Sequence, residues 1–149
     1  VFAAGDIPEK DFIHRLPAVH DLSDRVLVYL SDDDPALRWV SRVMGGGRRL
    51  GLAPKSLSQQ EIDALAASPR LEVIDTSYQK LTRGFDIAGH RYWFQHPWVN
   101  SDLILAIRTG APAGKRGLQP AHQPGVWGFA ADYPSRIGGI GRRLTGGSW

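Results

Sequence analysis

Two polar residues follow the expected strands of this chain: Asp34, just after the apolar run Val26-Leu27-Val28-Tyr29-Leu30, and His90, in the loop after Leu71-Glu72-Val73-Ile74-Asp75. An acid after one buried strand and a histidine after the next is the order in which the last two members of a Ser-Asp-His triad occur in strand-helix enzymes. In that chemistry the histidine takes the proton of a serine and returns it to the leaving group, while the carboxylate fixes the imidazole tautomer and stabilises its cation. The serine itself has no recognisable setting, because no G-x-S-x-G stands anywhere in the 149 residues. The chain opens on Val1-Phe2-Ala3-Ala4 without an initiator Met, reading as the end of a strand. We therefore expect a fragment that lacks the nucleophile elbow.

Each candidate has a plainer alternative. Asp34 precedes Pro35, and an Asp before a first-turn proline is a common helix N-cap. The run Asp32-Asp33-Asp34 could hold a divalent cation through hard oxygen ligands, but no glycine-spaced loop or distant carboxylate completes such a site, so no metal is expected. His90 could be a solvated loop residue, although Tyr92, Trp93 and Phe94 beside it are able to anchor the loop to a core. His96 precedes Pro97 and reads as the start of a helix, and His14, His20 and His122 show no partner spacing. Asp6 also ends a strand, where functional groups gather in α/β proteins, but it suits the first turn of a helix opened by Pro8 equally well. Gly45-Gly46-Gly47-Arg48-Arg49 is no phosphate cradle, because it follows a helix and lacks the G-K-[ST] ending. No cofactor is implied.

The elements that must position Asp34 and His90 alternate. Pro8 to about Val19 reads as a helix interrupted by Pro17; Arg25–Leu30 is a continuous apolar strand of the kind buried on both faces. Asp34-Pro35-Ala36-Leu37 opens a helix that Gly45-Gly46-Gly47 ends. Ser58-Gln59-Gln60-Glu61 is a capping box, since the serine can accept from the third residue's N–H while the glutamate reaches back; it opens a helix through about Ala67. Leu71–Asp75 is the next strand, and Thr76–Gly89 a polar loop. A last helix runs from Pro97 to a terminating Gly110, with Val99, Leu103, Ile104 and Ile107 as its expected apolar stripe. Strands separated by helices argue for an α/β class with a mostly parallel sheet and helices on both faces.

Charge divides the chain near Thr109-Gly110. Residues 1–110 hold 13 Lys+Arg against 14 Asp+Glu, a net of −1, while 111–149 hold five against one, a net of +4. The same 39 residues contain nine Gly and four Pro, a composition that offsets its ordering entropy with difficulty. We expect residues 1–110 to form the body and 111–149 to be a poorly ordered basic tail, with Trp127, Phe129 and Tyr133 as the side chains able to dock it. The basic tail could touch RNA or an anionic membrane, yet a weakly constrained extension is the simpler reading, so no nucleic-acid partner is expected. No apolar stretch approaches the ~20 residues a membrane helix needs. Zero cysteines exclude disulfides and thiolate zinc sites within the chain and leave the compartment open.

Several segments taken together resemble the C-terminal half of an uncharacterised bacterial alpha/beta-hydrolase family of predicted serine esterases or lipases. They are Val1-Phe2-Ala3-Ala4-Gly5-Asp6-Ile7, Arg25-Val26-Leu27-Val28-Tyr29-Leu30-Ser31-Asp32-Asp33-Asp34-Pro35-Ala36-Leu37, Arg49-Leu50-Gly51, Glu72-Val73-Ile74-Asp75-Thr76-Ser77 and His90-Arg91-Tyr92-Trp93-Phe94, in that order over about residues 1–110. Gly5 stands where that family carries proline, and Trp93 is an insertion in the aromatic run. The resemblance implies the C-terminal part of an alpha/beta-hydrolase fold, with Asp34 as triad acid and His90 as general base. It also implies a small-molecule acyl substrate and a nucleophile supplied by the upstream part of the same hydrolase domain. Two other classes compete: a non-catalytic α/β binding domain on the hydrolase scaffold, and an interaction module dominated by the basic tail.

Overall fold

A computed structural model describes residues 1–3, 7–31, 63, 67–77, 96–121 and 124–147. Its frame is a five-stranded sheet built from β1 (Phe2–Ala3), β2 (Val26–Leu30), β3 (Leu71–Asp75), β4 (Gln119–Pro120) and β5 (Val126–Gly128). The spatial order is β1-β2-β3-β5-β4; the first four are parallel, and β4 pairs antiparallel with β5. The α/β class with a mostly parallel sheet is as the alternation of elements predicts.

Side chains of β2 alternate between the two faces, as the period of two dictates. Val26, Val28 and Leu30 meet Val73 and Val126 on one face, where helix α1 (Glu9–Asp21) lays Phe12 and Leu16 against them. Leu27, Tyr29 and Ile74 point to the other face and pack under helix α2 (Pro97–Thr109) and helix α3 (Tyr133–Leu144). Each large aliphatic side chain buried in this way contributes about 1.5–3 kcal/mol. Helices therefore cover both faces.

Local sequence explains the helix ends. Pro17 lies within α1 and does not end it: the helix continues to Asp21, where the Ser23 hydroxyl donates to the Val19 carbonyl at 2.8 Å. A proline in a helix forfeits one hydrogen bond, and the buried Phe12 and Leu16 on the opposite side of that turn hold the segment in place. Pro97 occupies the first turn of α2, and Gly110 ends it in the left-handed region at φ 61°, as a C′ glycine does. The capping-box helix falls largely outside the described residues, but Ala67 N–H donates to the Asp63 carbonyl at 2.9 Å in helical register.

The apolar stripe of α2 differs from expectation. Val99, Asp102, Leu105 and Ala106 are the buried residues, whereas Ile107 is 68% exposed and Ile104 39%. An aspartate occupies the middle of the core-facing side, which displaces the stripe by part of a turn.

Residues 113–144 also depart from the composition-based expectation of a loose tail. They supply a 3₁₀ turn (Ala113–Arg116), β4, β5 and α3, and they bury Ala113, Arg116, Leu118, Val126, Phe129, Tyr133 and Ile140. Pro134 sits in the first turn of α3, a position that needs no N–H. Gly117 has φ 90°, and a Cβ there would lie 2.6 Å from Ile140 Cδ1. Glycine and proline here are structural parts rather than signs of disorder.

Candidate functional site

Functional groups in open parallel sheets gather where the strands end in their carboxyl direction. β2 and β3 end level with each other, since Leu30 pairs with Asp75. Just beyond, Thr76 donates both its N–H (2.8 Å) and its hydroxyl (2.6 Å) to the Leu30 carbonyl, and Ser31 and Thr76 are buried. The Asp75 carboxylate accepts from the Ser77 N–H at 2.8 Å and from the Ser77 hydroxyl. β2 and β3, the strands that precede Asp34 and His90 in the chain, thus end side by side and run in the same direction. Asp34, His90 and the strand-end acid Asp6 themselves lie outside the described residues.

After Ser77 the next described residue is His96, whose role is the one its sequence position suggests. His96 is the N-cap of α2, and its Nδ1 accepts from the Trp98 N–H at 3.3 Å. The ring is buried and meets Trp98 edge to face at 5.6 Å, and burial holds its pKa below the usual histidine value. Trp98 continues into Phe129 and Tyr133, whose rings meet edge to face at 4.9 Å. The docking trio of the C-terminal segment thereby reaches the body: Phe129 and Tyr133 belong to the core, and Trp127 packs on it partly buried.

A second polar constellation, missed in the sequence, lies under α2. Arg116 is fully buried; its Nε and NH2 reach the two Asp102 oxygens at 2.7 and 3.3 Å, and its NH1 reaches Glu72 Oε2 at 2.8 Å and the Ala111 carbonyl at 2.7 Å. The Tyr29 hydroxyl donates to Asp102 Oδ2 at 2.7 Å, and the Ala113 N–H donates to Glu72 Oε1 at 3.2 Å. Arg25 adds a partner at the margin, 3.8 Å from Glu72 and donating to the Ala111 carbonyl at 2.7 Å.

Every carboxylate oxygen in this cluster therefore has a donor, which is what a buried charge requires. Burial pushes the Asp102 carboxyl upward, against the opposing pull of Arg116 and Tyr29. Burial also works against the Arg116 charge, but Asp102 and Glu72 outweigh it and hold the guanidinium above its usual range. Tyr29 is raised far beyond its ordinary value by burial and then by Asp102, so it stays a neutral donor. A saturated cluster of this kind has no free base and no room for a reacting atom. It fastens β2, β3, α2 and the 3₁₀ turn to one another. The one signal available in the sequence was Asp102, three residues from Val99 and from Leu105 on a helix.

Among the described residues no group of His, Asp and Glu side chains could hold a metal ion, and no helix is long and apolar enough to cross a membrane.

A parallel sheet covered by helices on both faces, with adjacent strands ending level, makes this an α/β protein of the kind that builds its site beyond the strand ends. The chain belongs to the family described as alpha/beta hydrolase of unknown function (DUF900), whose family model matches residues 1–108. Comparison with curated proteins and with solved structures finds no match to the chain.

Proposed function

We propose that this chain supplies the acid and the base of a serine-hydrolase triad acting on an ester or related acyl substrate. Asp34 orients the imidazole of His90 and stabilises its cation; His90 takes the proton of a serine as that serine attacks the acyl carbonyl, then returns it to the leaving group. The 149 residues contain no G-x-S-x-G, so the reading draws the nucleophile and the oxyanion donors from an upstream part of the same domain, and the chain alone is expected to be inert.

The observation that carries the reading is the pairing of β2 with β3, parallel and ending level at Leu30 and Asp75. Strands paired in this way stand about 4.8 Å apart, and the stretch from Leu30 to Asp34 spans at most about 14 Å when extended. A side chain four residues past β2 is thus within reach of the loop that leaves β3. Membership of an alpha/beta hydrolase family supports hydrolysis as the reaction class.

The test is turnover of a short-chain aryl ester by the complete enzyme. Asp34→Asn is expected to lower it by as much as about 10⁴-fold with the fold retained, because the neutral amide favours the wrong imidazole tautomer. His90→Ala is expected to be comparably damaging. The assignment fails if His96→Ala abolishes turnover while His90→Ala does not.

A further inference from the structure

Helix α3 carries a feature that the hydrolase reading does not use. An open groove of about 390 Å³ on its surface is lined by Ser135, Arg136, Gly139, Ile140, Arg142 and Arg143. Helical spacing explains its shape, since side chains three and four positions apart are neighbours. Gly139 stands four residues after Ser135, three after Arg136, three before Arg142 and four before Arg143, so it forms a bare backbone floor among three guanidinium groups and a hydroxyl.

The charges around that floor do not balance. Arg136 is paired with Asp132 at 2.9 Å and also donates to the Gly117 carbonyl at 3.3 Å. Arg142 and Arg143 are exposed, and their guanidinium groups form no hydrogen bond or ion pair among the described residues. Both stand in the last turn, where a cation suits the negative end of the helix dipole, but their heads lie elsewhere. Arg142 NH1 is 3.9 Å from where a Cβ on Gly138 would sit, and Arg143 NH1 is 3.6 Å from a Cβ on Gly139. The two heads are folded back over the middle of the helix, away from the final carbonyls.

Glycine at position 139 costs about 1 kcal/mol relative to alanine in a helix interior, yet a methyl group there would make only ordinary van der Waals contact. Among the described residues no packing contact requires the bare floor.

We propose that this groove binds a phosphate-type oxyanion, gripped by Arg142 and Arg143 above Gly139. Two guanidinium groups without a partner among the described residues match the double charge of a phosphate, and each planar fork can give two parallel N–H donors to its oxygens. The groove is larger than a bare phosphate and accommodates the group as part of a larger molecule. α3 lies beyond the residues matched by the family model, and the proposal draws on neither Asp34 nor His90, so it stands or falls without the triad.

The test titrates the full protein with inorganic phosphate by calorimetry at constant ionic strength. A parallel arm measures co-sedimentation with phosphatidylcholine vesicles, with and without phosphatidic acid. Saturable binding is expected to weaken at least about tenfold in R142Q/R143Q, the scale of losing charge-assisted hydrogen bonds. It should persist in K10Q/R15Q, which removes the same charge from α1 on the opposite face of the sheet. Gly139→Ala should weaken binding while leaving helix content intact. Binding confined to vesicles with phosphatidic acid, with the same dependence on Arg142 and Arg143, supports the site and assigns a lipid headgroup as its source. Equal losses in the two double variants, or no difference between phosphate and chloride, would overturn it.

Discussion

The two faces of the sheet are held by different physics. On the α1 face, Phe12, Leu16, Val26, Val28, Leu30, Val73 and Val126 form a purely apolar cluster. On the opposite face, the cluster around Ile74, Val99 and Phe129 encloses Tyr29, Glu72, Asp102 and Arg116, with three formal charges taken out of water. Apolar burial stabilises roughly in proportion to area and tolerates small rearrangement. A buried ionic cluster contributes little net stability but is severely damaged when one partner is lost. One face therefore supplies cohesion, while the other ties the C-terminal segment to the body in a single arrangement.

Removing Arg116 breaks the comparison most directly. Arg116→Met leaves Asp102 and Glu72 buried without their cation and is expected to cost about 3–5 kcal/mol in urea denaturation. Its pH dependence separates the faces. The Asp102 carboxyl already titrates above its usual value through burial, and losing Arg116 pushes it further up. A carboxyl whose folded pKa exceeds its unfolded value contributes stability that is lost as pH rises through the folded value. The Arg116→Met penalty should therefore be larger at about pH 8 than at about pH 5. Leu16→Ala on the apolar face, costing about 2–5 kcal/mol, should show no such trend. Equal pH dependence for both substitutions would erase the distinction.

Tyr29→Phe sharpens the comparison at a smaller scale. It removes the hydroxyl donor to Asp102 at 2.7 Å, and hydrogen bonds to charged groups are worth about 1.5–3 kcal/mol. The loss should shrink in an Arg116→Met background, where the cluster is already broken; strict additivity would mean that the four residues do not act as a unit.

The smallest effect concerns His96, the cap at the start of α2. Burial lowers its pKa, so the unfolded chain takes up the proton first and stability falls as pH drops from about 6.5 through the folded value. Protonating Nδ1 also removes the acceptor for the Trp98 N–H. His96→Asn should retain a cap worth about 1 kcal/mol and abolish this acid-side loss in thermal unfolding. Persistence of the loss in the variant would place its origin elsewhere.

What the sequence revealed follows the same division between the faces. β2 was legible because a buried parallel strand is a continuous apolar run, β3 by its apolar Leu71, Val73 and Ile74 even with Glu72 among them, and α2 because Pro97 and Gly110 mark its ends. The ionic face was not legible, because Glu72, Asp102 and Arg116 each read as solvated when taken alone. Their partners are far apart in sequence: 44 positions between Arg116 and Glu72, and 73 between Tyr29 and Asp102. The same blindness produced the misplaced stripe of α2 and the expectation of a loose tail, since Arg116 was counted as a tail charge. Asp34 and His90 rest on position after strands and on family resemblance, a pattern that names residues without fixing their geometry.

The separation of those two side chains tests the central claim most directly. A crystal structure of the complete enzyme should place the Asp34 carboxylate and a ring nitrogen of His90 together at the carboxyl end of the sheet, within about 2.6–3.2 Å or slightly beyond in the unliganded state. Finding them at opposite ends of the sheet, beyond the adjustment of either loop, would contradict the triad assignment.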